Sequence, residues 1–482
     1  MKRSLFFLLC MTLLCACSSK DDFVENQMYG DTDKRMAAIS AEEAISLLPY
    51  RGETISVDEV AGLLEQYNSE QTMRSTLNRN GVSNIEIIDN YVLGYGGEKV
   101  VTKSVSLEET VSFCVARFND INGHDGISLV CTDRRFPEIL AFVPDSKYDT
   151  WKNPMARLMA ERAQNVALAY IKRFNTIRDS LQDRAIHKVC VQLNIPENEF
   201  DINRYMHQIY IISEQNKTKS KVVQTPGGTE ISSVGPLCGS TRLIQGWPCN
   251  QFIPTSNYEK HQNYQYNGHF PVGCVNVALA TICSYVKPII YCSGLGRNIN
   301  WENVENSYFN PYSMSLDQYD ENTPRAIEVG HLMNILASGT KTEFSEQLGG
   351  NTYFVNAVSY MNSIGVDMSK SFVALTYDNV RKSLGNKGLI YVSGTETTKT
   401  RTDNVVGGHG WVIDGLQVRT QNTRMDLRNY NCYASCKFGW VESSSGTYNG
   451  WYLFDTSGTI TFDFGDTELA TDLRCITNIK KK

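Results

Sequence analysis

The sequence predicts an α+β protein built from more than one unit. Three observations predict it. Short β-rich runs bounded by turn residues fill 85–143, and a long helical pattern without proline or glycine covers 155–182. In the second half, an apolar helical stripe at 275–286 is followed much later by an alternating strand at 409–415. With 482 residues, 41% of them hydrophobic and 20% charged, the chain can bury sizeable cores, and about three units is the prior for this length. The net charge of −6 leaves no basic field for nucleic acid.

The N-terminus reads as an address rather than as structure. Lys2 and Arg3 precede a twelve-residue apolar stretch, Leu5 to Ala16. A membrane-spanning helix needs about 20 such residues, so the stretch reads as a secretory signal. It ends Leu14-Cys15-Ala16-Cys17, which resembles a bacterial lipobox. That resemblance implies a signal peptide over 1–16, cleavage before Cys17 and a diacylglycerol on its thiol, followed by a tether over 17–30. Lys20-Asp21-Asp22 is similar to the surface-export signal of Bacteroidota lipoproteins. The implied location is the outer membrane, facing outward, with the lipid as the sole membrane contact.

Elements then follow in order. Helices are expected near Ala41–Leu48 and Val57–Tyr67, and strands at Ile85–Leu93, Val111–Phe118, Ile127–Cys131 and Ile139–Val143. The long helical pattern Met155–Gln182 comes next. Residues 213–235, rich in lysine, threonine and glycine, read as an exposed linker of the kind proteases nick. A second globular region runs from Pro236 to the end.

The strongest local feature is Pro271 to Pro288. Apolar residues at 275, 278, 279, 282 and 286 form a helical stripe, and Pro288 stops it. Cys274 therefore opens a buried helix directly after Gly273. A free thiol, with a pKa of about 8.5, is mostly protonated at neutral pH, whereas a helix N-terminus and a cationic histidine lower that value. Four histidines follow residue 236. His331 lies in an apolar helical stretch, and His261 and His269 lie in a polar loop. His409 is framed by glycines in Gly407-Gly408-His409-Gly410 and opens a strand ended by Asp414-Gly415, which leaves it open to substrate. Such a cysteine and histidine, far apart in sequence, meet only in the fold. Gln245, 29 residues before Cys274, could supply an oxyanion donor together with the Cys274 amide.

These residues lie in a set of motifs that resembles the streptopain family of papain-fold cysteine peptidases. Gln245-Gly246-Trp247-Pro248-Cys249-Asn250 is similar to its Gln-x-x-Pro-Tyr-Asn pattern, with cysteine for tyrosine. Val272-Gly273-Cys274-Val275-Asn276-Val277-Ala278 is similar to the nucleophile motif, and Gly408-His409-Gly410-Trp411-Val412-Ile413-Asp414-Gly415 to the histidine motif. Lys437-Phe438-Gly439-Trp440, with Asn449-Gly450-Trp451-Tyr452 after it, resembles the Asn-Trp-Gly-Trp motif and its Asn-Gly-aromatic-aromatic sequel. The strand, Asp133-Arg134 turn and Pro137-x-x-Leu140 run are similar to the family's inhibitory propeptide.

The resemblance implies a papain-like peptidase domain at 236–482, with a helical layer on an antiparallel sheet. It also implies an α+β inhibitory prodomain at 31–212 that covers or distorts the site, and an activation linker at 213–235. Cys274 would be the nucleophile and His409 its base, with Gln245 in the oxyanion hole and Trp440 and Asp414 supporting the site. Protein or peptide substrates and the chain's own prodomain are the implied partners, for a monomer that needs no metal or organic cofactor. One position departs from the pattern: Lys437 stands where the family has asparagine. An ammonium has no acceptor for an imidazole N–H, so Asn429, Asn431, Asp414 or a backbone carbonyl would have to orient His409, unless the 416–431 loop shifts the alignment. Lys437 also keeps in view a catalytically impaired lipoprotein that binds peptide or a host protein, and the same Cys–His pair would serve an acyl transferase or amidase.

Fourteen cysteines, of which Cys10, Cys15 and Cys17 belong to the address, leave eleven in the body of the chain. An odd number means at least one free thiol. Cys432 and Cys436 are expected on one strand face about 13 Å apart at 3.3 Å per residue. That is too far for a disulfide, which needs Cα atoms within about 7 Å.

Overall fold

The computed structural model describes residues 36–47, 54–72, 83–100, 109–119, 125–144, 146, 154–211, 230–263, 265–305, 307, 322–346, 349–397, 406–420, 430–439, 448–454 and 473–482. The lipobox with Cys17 and the tether lie outside these residues, as does Trp440. No described helix is long and apolar enough to cross a membrane.

The chain is α+β and is organised on one large antiparallel sheet. In spatial order its strands are Val366–Asp367, Arg474–Lys481, Leu389–Thr397, Val406–Thr420, Tyr430–Lys437, Gly450–Phe454, Glu138–Val143, Asp125–Cys131, Thr110–Asn119 and Ser83–Gly94. Two short strands join off this path. Val373–Ala374 pairs with Arg474–Lys481, and Glu230–Val234 pairs with the second half of Val406–Thr420. The expected linker 213–235 therefore needs correction at its C-terminal end: Glu230–Val234 is a strand, with Val234 opposite Leu416. Its EISSV sequence is too short to signal a strand, and its partner lies far along the chain.

The N-terminal helices start where serine and glutamate cap each other. Ser40 Oγ accepts from the Glu43 amide while the Glu43 carboxylate takes the Ser40 amide, and Ser56 and Glu59 repeat the arrangement. The long helix spans Pro154–Leu193, eleven residues beyond its expected end. Those extra residues are amphipathic: Ala185, Val189 and Leu193 form a small core with Ala37, Ile39, Leu47 and Ile209, while charged neighbours face water.

Two larger cores lie on the sheet. One packs the Cys274–Val286, Pro324–Gly339 and Phe354–Ser363 helices against Leu389, Tyr391, Val412, Ile476 and Ile479. The alternate residues Ile390, Val392, Trp411 and Ile413 point into the other. That second core is shared between the halves of the chain, running from Phe118, Phe136 and Phe142 to Tyr433, Tyr452 and Phe454.

The strand joining the halves is short but enclosed. Trp451 pairs with Phe142 and Tyr452 with Ala141. The long helix packs on Gly450–Phe454 as well as on Glu138–Val143. Beside this seam, Tyr433 donates to the Ile139 carbonyl at 2.9 Å, and the Arg419 guanidinium sits over the Tyr67 ring at 4.6 Å. The region expected as a separate prodomain thus shares both sheet and core with the C-terminal half. Hydrophobic periodicity gives the faces of these strands but not their partners, which lie some 300 residues away.

All eleven cysteines of the described residues are free thiols. Cys432 and Cys436 are buried on the Tyr430–Lys437 strand.

Candidate active site

Cys274 is the first residue of the Cys274–Val286 helix. Gly273 before it has φ 94°, a conformation open to glycine, and a Cβ there would meet the Gly350 carbonyl oxygen at 2.2 Å. No side chain caps this helix start, so the positive end of the helix dipole faces the sulfur. At the far end Lys287 adopts a left-handed conformation, φ 54°, immediately before Pro288. The apolar stripe buries the helix against the Val406–Thr420 strand, which brings Cys274 to His409.

The two side chains form a hydrogen bond, and the Gly410 amide donates to the Cys274 sulfur at 3.4 Å. Burial by itself pushes the Cys274 thiol up. The charge of His409 and its hydrogen bond outweigh burial, with help from the Gly410 and Val275 amides, and the net shift is downward. The chain's other shifted cysteines go the opposite way: burial lifts Cys114, Cys249 and Cys475 to about 12. A sulfur held near ionisation next to an imidazole can act as a nucleophile with a proton carrier at hand.

His409 is buried on its strand, opposite Gly394. Its Nε2 lies 3.3 Å from the Phe438 carbonyl oxygen, which leaves Nδ1 as the ring nitrogen for the sulfur. A backbone carbonyl therefore accepts from the imidazole. Lys437 points elsewhere: its amine donates to the Gly239 carbonyl at 3.1 Å. Gly439, φ 63°, allows the approach, since a Cβ there would lie 2.3 Å from a Val277 methyl on the Cys274 helix.

Gln245 lies with its backbone beside the segment that leads into Cys274. Its carbonyl accepts from the Val272 amide at 3.0 Å, two residues before Cys274. Its side chain is half-buried, and among the described residues no hydrogen bond engages the carboxamide.

Asp414 is not brought to His409. It stands five residues along the strand, about 16 Å at 3.3 Å per residue. It is fully buried and accepts from Ser435 Oγ at 2.7 Å and the Cys238 amide at 3.2 Å. Its role is to anchor the start of the C-terminal region on the sheet. Asn431 is likewise remote, opposite Arg419 at the far end of the strand pair; Asn429 lies outside the described residues. The remaining histidines of this half serve packing. His261 bonds to Ser256 Oγ at 2.8 Å, His269 contacts the Ile253 carbonyl at 2.6 Å, and His331 stacks on Phe252 at 4.0 Å.

Sequence reasoning left the acceptor for His409 among several options and overlooked its support. Asn449, noticed as part of a motif, accepts from the Phe438 amide through Oδ1 at 2.7 Å. A carbonyl carries no residue signature, so nothing in the sequence could mark Phe438.

The N-terminal half does not separate the pair. Cys274 and His409 are in contact while that half is docked on Gly450–Phe454, on Tyr430–Lys437 and, through Tyr67, on Arg419 of the His409 strand. Of the expected covering or distortion of the site, a pair pulled apart is not what the structure shows. Among the described residues no group of three or more His, Cys, Asp or Glu side chains is placed to hold a metal ion.

No model of a known protein family matches the chain, and no curated protein matches it.

Proposed function

We propose that the chain is a cysteine endopeptidase of papain-like fold, akin to the streptopain family, made as an exported, lipid-anchored precursor. The observation that carries the reading is the contact between Cys274 and His409, which lowers the thiol pKa against the pull of burial. The helical layer on an antiparallel sheet fits the same fold.

In this reading the Cys274 thiolate attacks a peptide carbonyl. The carbonyl oxygen becomes an oxyanion, stabilised by the Cys274 amide and the Gln245 carboxamide. The imidazolium of His409 then gives its proton to the leaving amine, and a thioester remains on Cys274. Neutral His409 next takes a proton from water, the hydroxide attacks the thioester, and the carboxylic acid leaves as the Cys274 thiolate reforms beside the His409 imidazolium. The Phe438 carbonyl fixes the ring so that one nitrogen always faces the sulfur.

The test is digestion of casein by the full-length protein after linker cleavage with trypsin, beside Cys274→Ala treated identically. New amino termini from the first protein alone support the reading. Equal behaviour of the two overturns it, and ammonia release without new termini replaces it with an amidase.

A further inference from the structure

We propose that Asn449 is the positioning residue for His409, acting through Phe438. The inference rests on the reading of Cys274 and His409 as a reactive pair. A neutral backbone carbonyl is a weaker partner for imidazolium than a carboxylate, so its value depends on being held in one place. Phe438 is held on every side. Its amide donates to Asn449 Oδ1 at 2.7 Å. Its ring, 1% exposed, sits 5.9 Å from Trp411 and edge-on to Tyr452 at 5.7 Å. Asn449 therefore fixes one side of the Phe438 backbone while the carbonyl on the other side meets His409 Nε2.

Asn449 is itself buried and fixed by its neighbours. Tyr448 takes a left-handed conformation, φ 55°, and its carbonyl accepts from the Tyr452 hydroxyl at 2.8 Å. The Tyr448 amide donates to Ser146 Oγ at 3.1 Å, so the turn that presents Asn449 leans on the N-terminal half. Asn449 would act on the sulfur only through the orientation of the imidazole, and a role confined to packing would leave the titration of the thiol unchanged.

The test uses the full chain and the pH dependence of Cys274 alkylation by iodoacetamide, read by peptide mass spectrometry. Asn449→Leu removes the acceptor, Asn449→Asp keeps it in place, and Asn449→Gln displaces it by one methylene. A profile moved up by about one pH unit means a loss of about tenfold at pH 6. That loss is expected for Asn449→Leu, while Asn449→Asp stays within about twofold of wild type. Should Asn449→Leu not fold, Asn449→Gln is expected to fall about threefold below Asn449→Asp. An Asn449→Leu profile that superimposes on wild type, or equal Gln and Asp profiles, would overturn the positioning role. A wild-type profile already at the ordinary thiol value would instead remove the reactive pair itself, and this inference with it.

Discussion

Tyr452 pairs with Ala141 across an antiparallel ladder, which makes a strand from the first third of the chain a neighbour of the strands that carry the candidate site. The two halves therefore fold onto one sheet and share one core. Cutting the 213–235 segment does not by itself separate them, because Glu230–Val234 and Glu138–Val143 each hold their own place in the sheet.

Glu138 gives this seam a pH dependence. Complete burial lifts its carboxyl to about 7, against the pull of Arg419, Tyr433 and Asn431. The folded state then keeps a proton that the unfolded chain releases above its ordinary value near 4.5. Stability from this group is full below that value and is lost as pH rises toward 7. Glu138→Gln stays neutral, so it should flatten the dependence and add of order 1–3 kcal/mol at pH 8. Urea unfolding at pH 5 and pH 8 measures it; equal stability of the two proteins at pH 8 would contradict the assignment.

Gln245→Ala should separate catalysis from thiol reactivity. Losing one oxyanion donor costs about 10²–10³ in turnover. Alkylation of Cys274 develops no oxyanion and should stay within about twofold. Peptide hydrolysis and iodoacetamide rates on the same preparation decide it, and a parallel fall in both would place Gln245 in the support of Cys274 instead.

Lys437→Met should leave the site unchanged. The amine is exposed on the Gly239 carbonyl, away from the imidazole. We expect the alkylation profile of Cys274 to be retained and stability to fall by less than about 1 kcal/mol. A displaced profile would mean that the ammonium acts on His409 after all.

Gly439→Ala should damage both stability and the pair. The residue has φ 63°, and the added methyl would sit 2.3 Å from Val277. Backbone strain of roughly 1–2 kcal/mol and an overpacked contact of roughly 1–3 kcal/mol add together. Because Gly439 follows Phe438, the carbonyl facing His409 should move with it, and alkylation at pH 6 should drop. Thermal unfolding and the alkylation assay read the two effects separately.

The parts legible in the sequence are those written in local pattern. The stripe from Val275 to Val286, stopped by Pro288, located the helix and so put Cys274 at its start. The glycines around His409 and the alternation after it located the strand, but it does not end at Asp414-Gly415 as expected: it runs from Val406 to Thr420, with His409 buried within it. Three features were not legible. Phe438 contributes a carbonyl, which any residue carries. Asp414 sits in a motif beside His409, yet a bulge between Ile413 and Gly415 and the bond to Ser435 give it a separate duty. The pairing of Phe142 with Trp451 spans most of the chain, and strand pattern says which face is buried but never which strand lies alongside.

His409 holds the Cys274 thiol below its ordinary pKa against burial, and the alkylation rate of Cys274 between pH 4 and 9 tests this most directly in wild type and His409→Ala. The wild-type rate should reach its plateau below the ordinary thiol range, with the other ten described cysteines unlabelled at pH 6. In His409→Ala the midpoint should move up, since burial then acts alone on the sulfur. Two superimposable profiles, each with its midpoint at or above about 8.5, would contradict the account.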